Sequence, residues 1–197
     1  MQYIDNVNSE GGPFLLADAT VARDWRGSDG DGSDYERACR AFLSDPEPPG
    51  VFVTVGAGQA LFWESFGAGT VDVFMDELGN LTIIRAWLDE PEGADADDEL
   101  RTIAELVKLP LGKTTLLGSL ETTSGVLAIL WSPESGACIE SLDIEESERP
   151  TGEMATDSSG LLVRVANGRY ACLHDEFELA NVSARRCHLI RQRSAPA

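Results

Sequence analysis

Apolar positions along this 197-residue chain follow two periods. Tyr35, Ala38, Cys39 and Phe42 recur at i, i+3, i+4 and i+7, which places them on one face of a helix over residues 34–43. Ser33-Asp34-Tyr35-Glu36 opens that stretch with the residues of a capping box. A second helix is predicted from Asp97 to Val107. Asp97, Asp98 and Glu99 suit the positive end of its dipole, Leu100, Ile103, Ala104 and Val107 form its stripe, and Pro110 bars its continuation. A short helical piece is predicted over residues 19–25.

Elsewhere the period shortens. Runs rich in β-branched and aromatic residues, divided by Gly, Pro, Asn and Ser, predict strands at 51–55, 60–63, 71–75, 81–87, 126–131, 161–166, 169–173 and 184–190. Gly79-Asn80 and Asn167-Gly168 each separate two such runs, and the second is the dipeptide favoured in primed hairpin turns. The expectation is an α+β, β-rich fold of antiparallel hairpins with two or three short helices, forming one domain over residues 1–197. Residues 157–166 echo residues 76–86. Repeated turn chemistry explains this, with a duplication of halves near 1–110 and 111–197 as the alternative.

At 43% apolar residues, the chain has the material for a core. Its start lacks the basic and apolar stretches of a signal peptide, and no apolar run approaches the roughly 20 residues needed to span a bilayer. A cytoplasmic protein is expected. Cys39, Cys138, Cys172 and Cys187 form no Cys-x-x-Cys pair, so free thiols in a reducing compartment are expected.

Charge narrows the choice of partner. Asp and Glu number 34 against 15 Lys and Arg, a net charge of −19, and residues 1–100 hold 21 acids against 5 bases. Such a protein repels nucleic acid and anionic membranes and steers basic surfaces toward itself. The acidic face is expected mainly on the first half.

Motifs for chemistry fail on spacing. Gly112-Lys113-Thr114 resembles the end of a P-loop, but the glycine needed five residues earlier is Val107, inside the predicted helix. Asp29-Gly30-Asp31-Gly32-Ser33-Asp34 offers calcium ligands, yet the EF-hand frame would put Asp34 where Gly is needed and Arg40 where Glu is needed. His174 and His188, with Cys172 and Cys187, could hold zinc only if their strands were neighbours. Alternation then sends Cys187 and His188 to opposite faces. The arginines at 185, 186, 191 and 193 are expected to pair with the chain's own acids.

Ser9-Glu10-Gly11-Gly12-Pro13-Phe14-Leu15-Leu16, followed by Asp24-Trp25-Arg26-Gly27 and Asp34-Tyr35-Glu36-Arg37-Ala38-Cys39, resembles the immunity protein 21 family of bacterial polymorphic toxin systems. The resemblance implies a small intracellular protein that binds and neutralises a cognate toxin. It implies inhibition rather than catalysis, and no enzymatic activity, cofactor or metal is expected. Gly11, Gly12, Pro13, Trp25, Gly27, Tyr35, Ala38 and Cys39 are read as scaffold, because glycine supplies positive φ, proline sets the strand entry and the others pack. Partner contacts are assigned to acidic loops: Asp29, Asp31, Asp34, Asp45, Glu47, Glu90, Glu92, Asp95, Asp97 and Asp98. The partner is expected to be a basic toxin domain, such as a nuclease. An acidic nucleic-acid mimic or regulatory adaptor that binds a basic host protein is the alternative.

Overall fold

The computed structural model describes residues 1–43, 48–64, 67–88, 96–139, 152–153 and 160–192. Its strands are β1 (Gln2–Ser9), β2 (Phe14–Asp18), β3 (Gly50–Val55), β4 (Gly58–Trp63), β5 (Gly69–Met75), β6 (Leu81–Leu88), β7 (Thr115–Thr122), β8 (Val126–Trp131), β9 (Gly152–Glu153), β10 (Gly160–Arg164), β11 (Gly168–Leu179) and β12 (Val182–Arg191). The helices are α1 (Ala19–Ala22), α2 (Asp34–Phe42) and α3 (Ala96–Leu106). The β-rich α+β expectation holds, and the strand ladders among the described residues are all antiparallel.

The strands form two six-stranded sheets. Sheet A runs β1-β5-β6-β12-β11-β7, and sheet B runs β3-β4-β2-β8-β10-β9. Alternation divides their side chains between layers. Phe14, Leu16, Leu61, Leu127 and Ile129 of sheet B meet Val71, Val73, Leu81, Ile83 and Leu189 of sheet A in the core between the sheets. Leu15, Ala17, Phe62, Ala128 and Leu130 point the other way, under α1 and α2. β2 and β8 therefore read as continuous apolar runs because both of their faces are covered. α3 lies on the opposite side of the sandwich, packing Ile103, Leu106 and Val107 on Phe74, Ile84 and Ala184 of sheet A.

The predicted helices sit close to their predicted bounds. Ser33 caps α2, its hydroxyl accepting from the Glu36 N–H, while α1 ends at Ala22, short of the expected residue 25. Gly79 closes the β5–β6 hairpin at φ +78°, and the Asp76 carboxylate accepts from the N–H groups of Leu78 and Asn80. Asn167-Gly168 behaves differently: β10 belongs to sheet B and β11 to sheet A, so the expected hairpin is a crossing between sheets. β8 and β9 flank β10, and β7 and β12 flank β11, so neither strand is free to pair with the other. β1 was not foreseen, and β11 runs six residues past its expected end.

Matching β1 with β7, β2 with β8, β3 with β9, β4 with β10, β5 with β11 and β6 with β12 turns each sheet order into its own reverse. Each half contributes three strands to each sheet. The sequence echo pairs β6 with β10, which this matching does not equate.

Candidate functional site

The motif residues converge where β2, α2 and the end of β8 meet. Gly12 has φ +93° and lies against Tyr35, whose hydroxyl would be 2.6 Å from an added Cβ. The Pro13 carbonyl accepts from the Ser132 N–H, and Trp25 Nε1 donates to the Ser132 carbonyl at 2.8 Å. Trp25 also packs on Phe62, with ring centroids 4.8 Å apart. Gly27 has φ +60° and presses against the Pro133 carbonyl, and its own carbonyl accepts from the Tyr35 N–H. Ala38 is buried beneath α2, while Cys39 is a half-buried free thiol. These residues hold a corner together through buried and backbone contacts.

Among the described residues the acidic loops do not form one face. Asp29 and Asp31 are exposed before α2, outside sheet B, whereas Asp97, Asp98 and Glu99 are exposed at the start of α3, outside sheet A. Asp34 is committed locally, one oxygen accepting from the Arg26 N–H and the other pairing with Arg37 at 2.8 Å. Asp98 pairs with Arg101. Asp45, Glu47, Glu90, Glu92 and Asp95 lie outside the described residues.

On the α3 side the structure adds two acids that sequence reasoning missed, Asp5 and Asp72. Asp72 keeps the alternation of β5: Val71 and Val73 enter the core between the sheets, while Asp72 faces outward and is yet only 8% exposed. Burial pushes its carboxyl up to about 6 against a hydrogen bond from Tyr3, and the charges of Glu99 and Asp5 raise it further. Neither Asp5 nor Asp72 has an ion-pair partner among the described residues. An acid at an outward position in the middle of an apolar strand was the available signal.

The histidines belong to structural networks. Thr82 Oγ1 lies 3.0 Å from His188 Nδ1, and His188 Nε2 lies 3.1 Å from Asp175 Oδ1. A hydroxyl–imidazole–carboxylate chain has the makings of a nucleophile relay, but all three side chains are buried on the α3 side of the sheet. Arg186 locks the array, reaching Asp175 through two nitrogens and the carbonyls of Leu106, Leu109 and Pro110. Burial alone would raise the Asp175 carboxyl. The hydrogen bonds from His188 and Arg186 outweigh it and hold that carboxyl well below the usual range. His174 faces the other way, its Nδ1 accepting from Trp63 Nε1 at 3.1 Å, and burial lowers its pKa. Cys187 enters the core between the sheets while His188 faces outward, and no three His, Cys, Asp or Glu residues converge on a metal position among the described residues. Gly112-Lys113 leads into strand β7 rather than a helix, which removes the P-loop context.

Beyond the edge of the core, Trp87 is 40% exposed and meets two guanidinium groups, Arg85 at 5.1 Å and Arg185 at 5.6 Å from its ring centroid. Arg185 is fixed by Glu64 through bonds of 2.9 and 3.2 Å, as its place in the charge pattern led one to expect. Glu64 is buried at φ +60°, a strained conformation for a non-glycine residue. Trp87 and Arg185 border a depression of about 630 Å³ whose rim also carries Glu176 and Glu178. Rigid Trp and Arg side chains at a concave surface are the residue types on which protein interfaces concentrate their energy.

No helix among the described residues is long and apolar enough to cross a membrane. Compared with known proteins, the chain matches no family model, no curated protein and no solved structure.

Proposed function

We propose that this protein acts by binding another protein, as an intracellular immunity-type inhibitor that occludes a basic toxin domain. The observation that carries this reading is the group of Asp5, Asp72 and Glu99 beside α3, which has no ion pair among the described residues and whose buried member, Asp72, is pushed up to about 6. A Lys or Arg side chain from a partner would relieve that repulsion. The resemblance of the Gly-Gly-Pro, Trp-x-Gly and Asp-Tyr-x-x-Ala-Cys segments to toxin immunity proteins supports the finer assignment. In this reading the long-range field of the −19 chain speeds encounter, and contacts such as Trp87 and Arg185 set the lifetime of the complex.

The test is co-expression with a basic toxin domain encoded immediately upstream. Growth should be restored, and the association rate should fall on the order of tenfold between low and physiological salt. Replacing Asp97 and Glu99 by Lys should slow association further while leaving the fold intact. Failure to rescue or to form a complex overturns the proposal, and a salt-independent rate removes its electrostatic part.

A further inference from the structure

The segment after α3 has the opposite character to the carboxylate cluster. Residues 106–120 contain no Asp or Glu, and they carry Lys108 and Lys113, the only lysines in the chain. Residues 108–116 are exposed in an unbroken run. Within it Leu109, Leu111 and Leu116 are 37%, 49% and 66% exposed. Leu116 is paired across the β7–β11 ladder with the half-buried Leu173. Loop and strand therefore present leucines flanked by ammonium groups on an otherwise acidic molecule.

This segment is held in one conformation. The buried Arg186 donates to the carbonyls of Leu106, Leu109 and Pro110 at 2.9–3.1 Å, and Asp175 Oδ2 accepts from the Gly112 N–H at 3.0 Å. Burying an Asp–Arg pair carries a desolvation cost that apolar residues would avoid. Here the pair determines the backbone path of residues 106–112. Pinned through its backbone, the loop turns its leucines outward, and apolar groups fixed in place lose little entropy when a partner covers them.

We propose that loop 107–114 and the start of β7 dock a segment of a partner protein that carries apolar side chains flanked by carboxylates. Charge selects this occupant. Lys108 pairs with Glu105, but Lys113 has no ion pair among the described residues and is open to an incoming carboxylate. An anionic membrane would face the acidic bulk of this −19 chain as well as the lysines, whereas a short segment meets only the strip within a Debye length of about 8 Å. A second copy docking symmetrically through the same strip would bring lysine toward lysine. The site is separate from the carboxylate cluster and does not rest on the toxin reading.

The experiment titrates the full chain, Lys113→Glu and Leu111→Ser with a short fluorescent peptide alternating Leu and Glu, and reads anisotropy. Binding that depends on Lys113 and Leu111 reports on this strip. The expected result is binding to the full chain, weakened at least about tenfold by either substitution, with unchanged thermal unfolding because both side chains are exposed. No binding, or equal binding by all three proteins, overturns the proposal. Dependence on Lys113 and Leu111 seen only with phosphatidylglycerol vesicles, or only in self-association measured by light scattering, also overturns it in favour of a lipid or a second copy.

Discussion

Asp72 and Gly27 show how single positions are decided by what the fold places beside them. The Asp72 carboxyl titrates near 6 in the folded protein against 3.8 as its ordinary value. Its contribution to stability is therefore fully present below pH 4 and lost as pH rises through about 6. Asp72→Asn should stabilise the protein at pH 8 by on the order of 2–3 kcal/mol and have little effect at pH 4. Urea unfolding at both pH values checks this, and equal effects would refute the assigned burial. Gly27→Ala combines a positive φ with a Cβ 2.3 Å from a backbone carbonyl, whereas Gly12→Ala meets the movable end of Tyr35. Gly27→Ala should cost more than about 2 kcal/mol and exceed Gly12→Ala in the same measurement. The need for glycine at both positions was legible from Gly-Gly-Pro and Trp-x-Gly. The neighbours that enforce it, Tyr35 and Pro133, lie far away in sequence.

The elements formed where local chemistry and burial agree. α2 has its cap, its stripe and an apolar sheet to cover, so the predicted and observed helices nearly coincide. α3 adds an anchor that no local pattern announces, because Asp175 and Arg186 are brought together only by the β11–β12 ladder. Removing Asp175 alone leaves Arg186 buried without its counter-charge, so Asp175→Ala should cost roughly 3–5 kcal/mol. The double replacement Asp175→Leu with Arg186→Met should cost less than the single one. The pH dependence has the opposite sign to that of Asp72. A carboxyl held below its ordinary value stabilises the fold above about pH 4, and that stability is lost as pH falls further. The acid limb of a pH-unfolding profile should therefore flatten in the double variant, and an unchanged limb would count against the anchor.

At the scale of the whole molecule, both sheets are joined at their centres by ladders between the two halves, β2 with β8 and β6 with β12. Each half alone would expose the core face of three strands in each sheet. Fragments 1–110 and 111–197 expressed separately should lack cooperative thermal transitions, and mixing them should restore one. A fragment that unfolds cooperatively by itself would refute this interdependence. Charge is also decided at this scale: among the described residues, the acids before α2 and those opening α3 lie on opposite faces rather than on one acidic surface.

By itself the sequence determined the β-rich α+β class, most strands and the two longer helices. Those features depend on period, capping and spacing, which act over a few residues. Only the tertiary structure decided which strands share a sheet. Asn167-Gly168 carries hairpin chemistry, yet the chain crosses between sheets there because both edges of β10 and of β11 are occupied by other strands. Tertiary structure likewise set Asp72 beside Glu99 and Asp5, and put Arg186 beneath the lysine loop. A side chain's charge is written in the sequence, but its desolvation and its neighbours arise when distant strands meet.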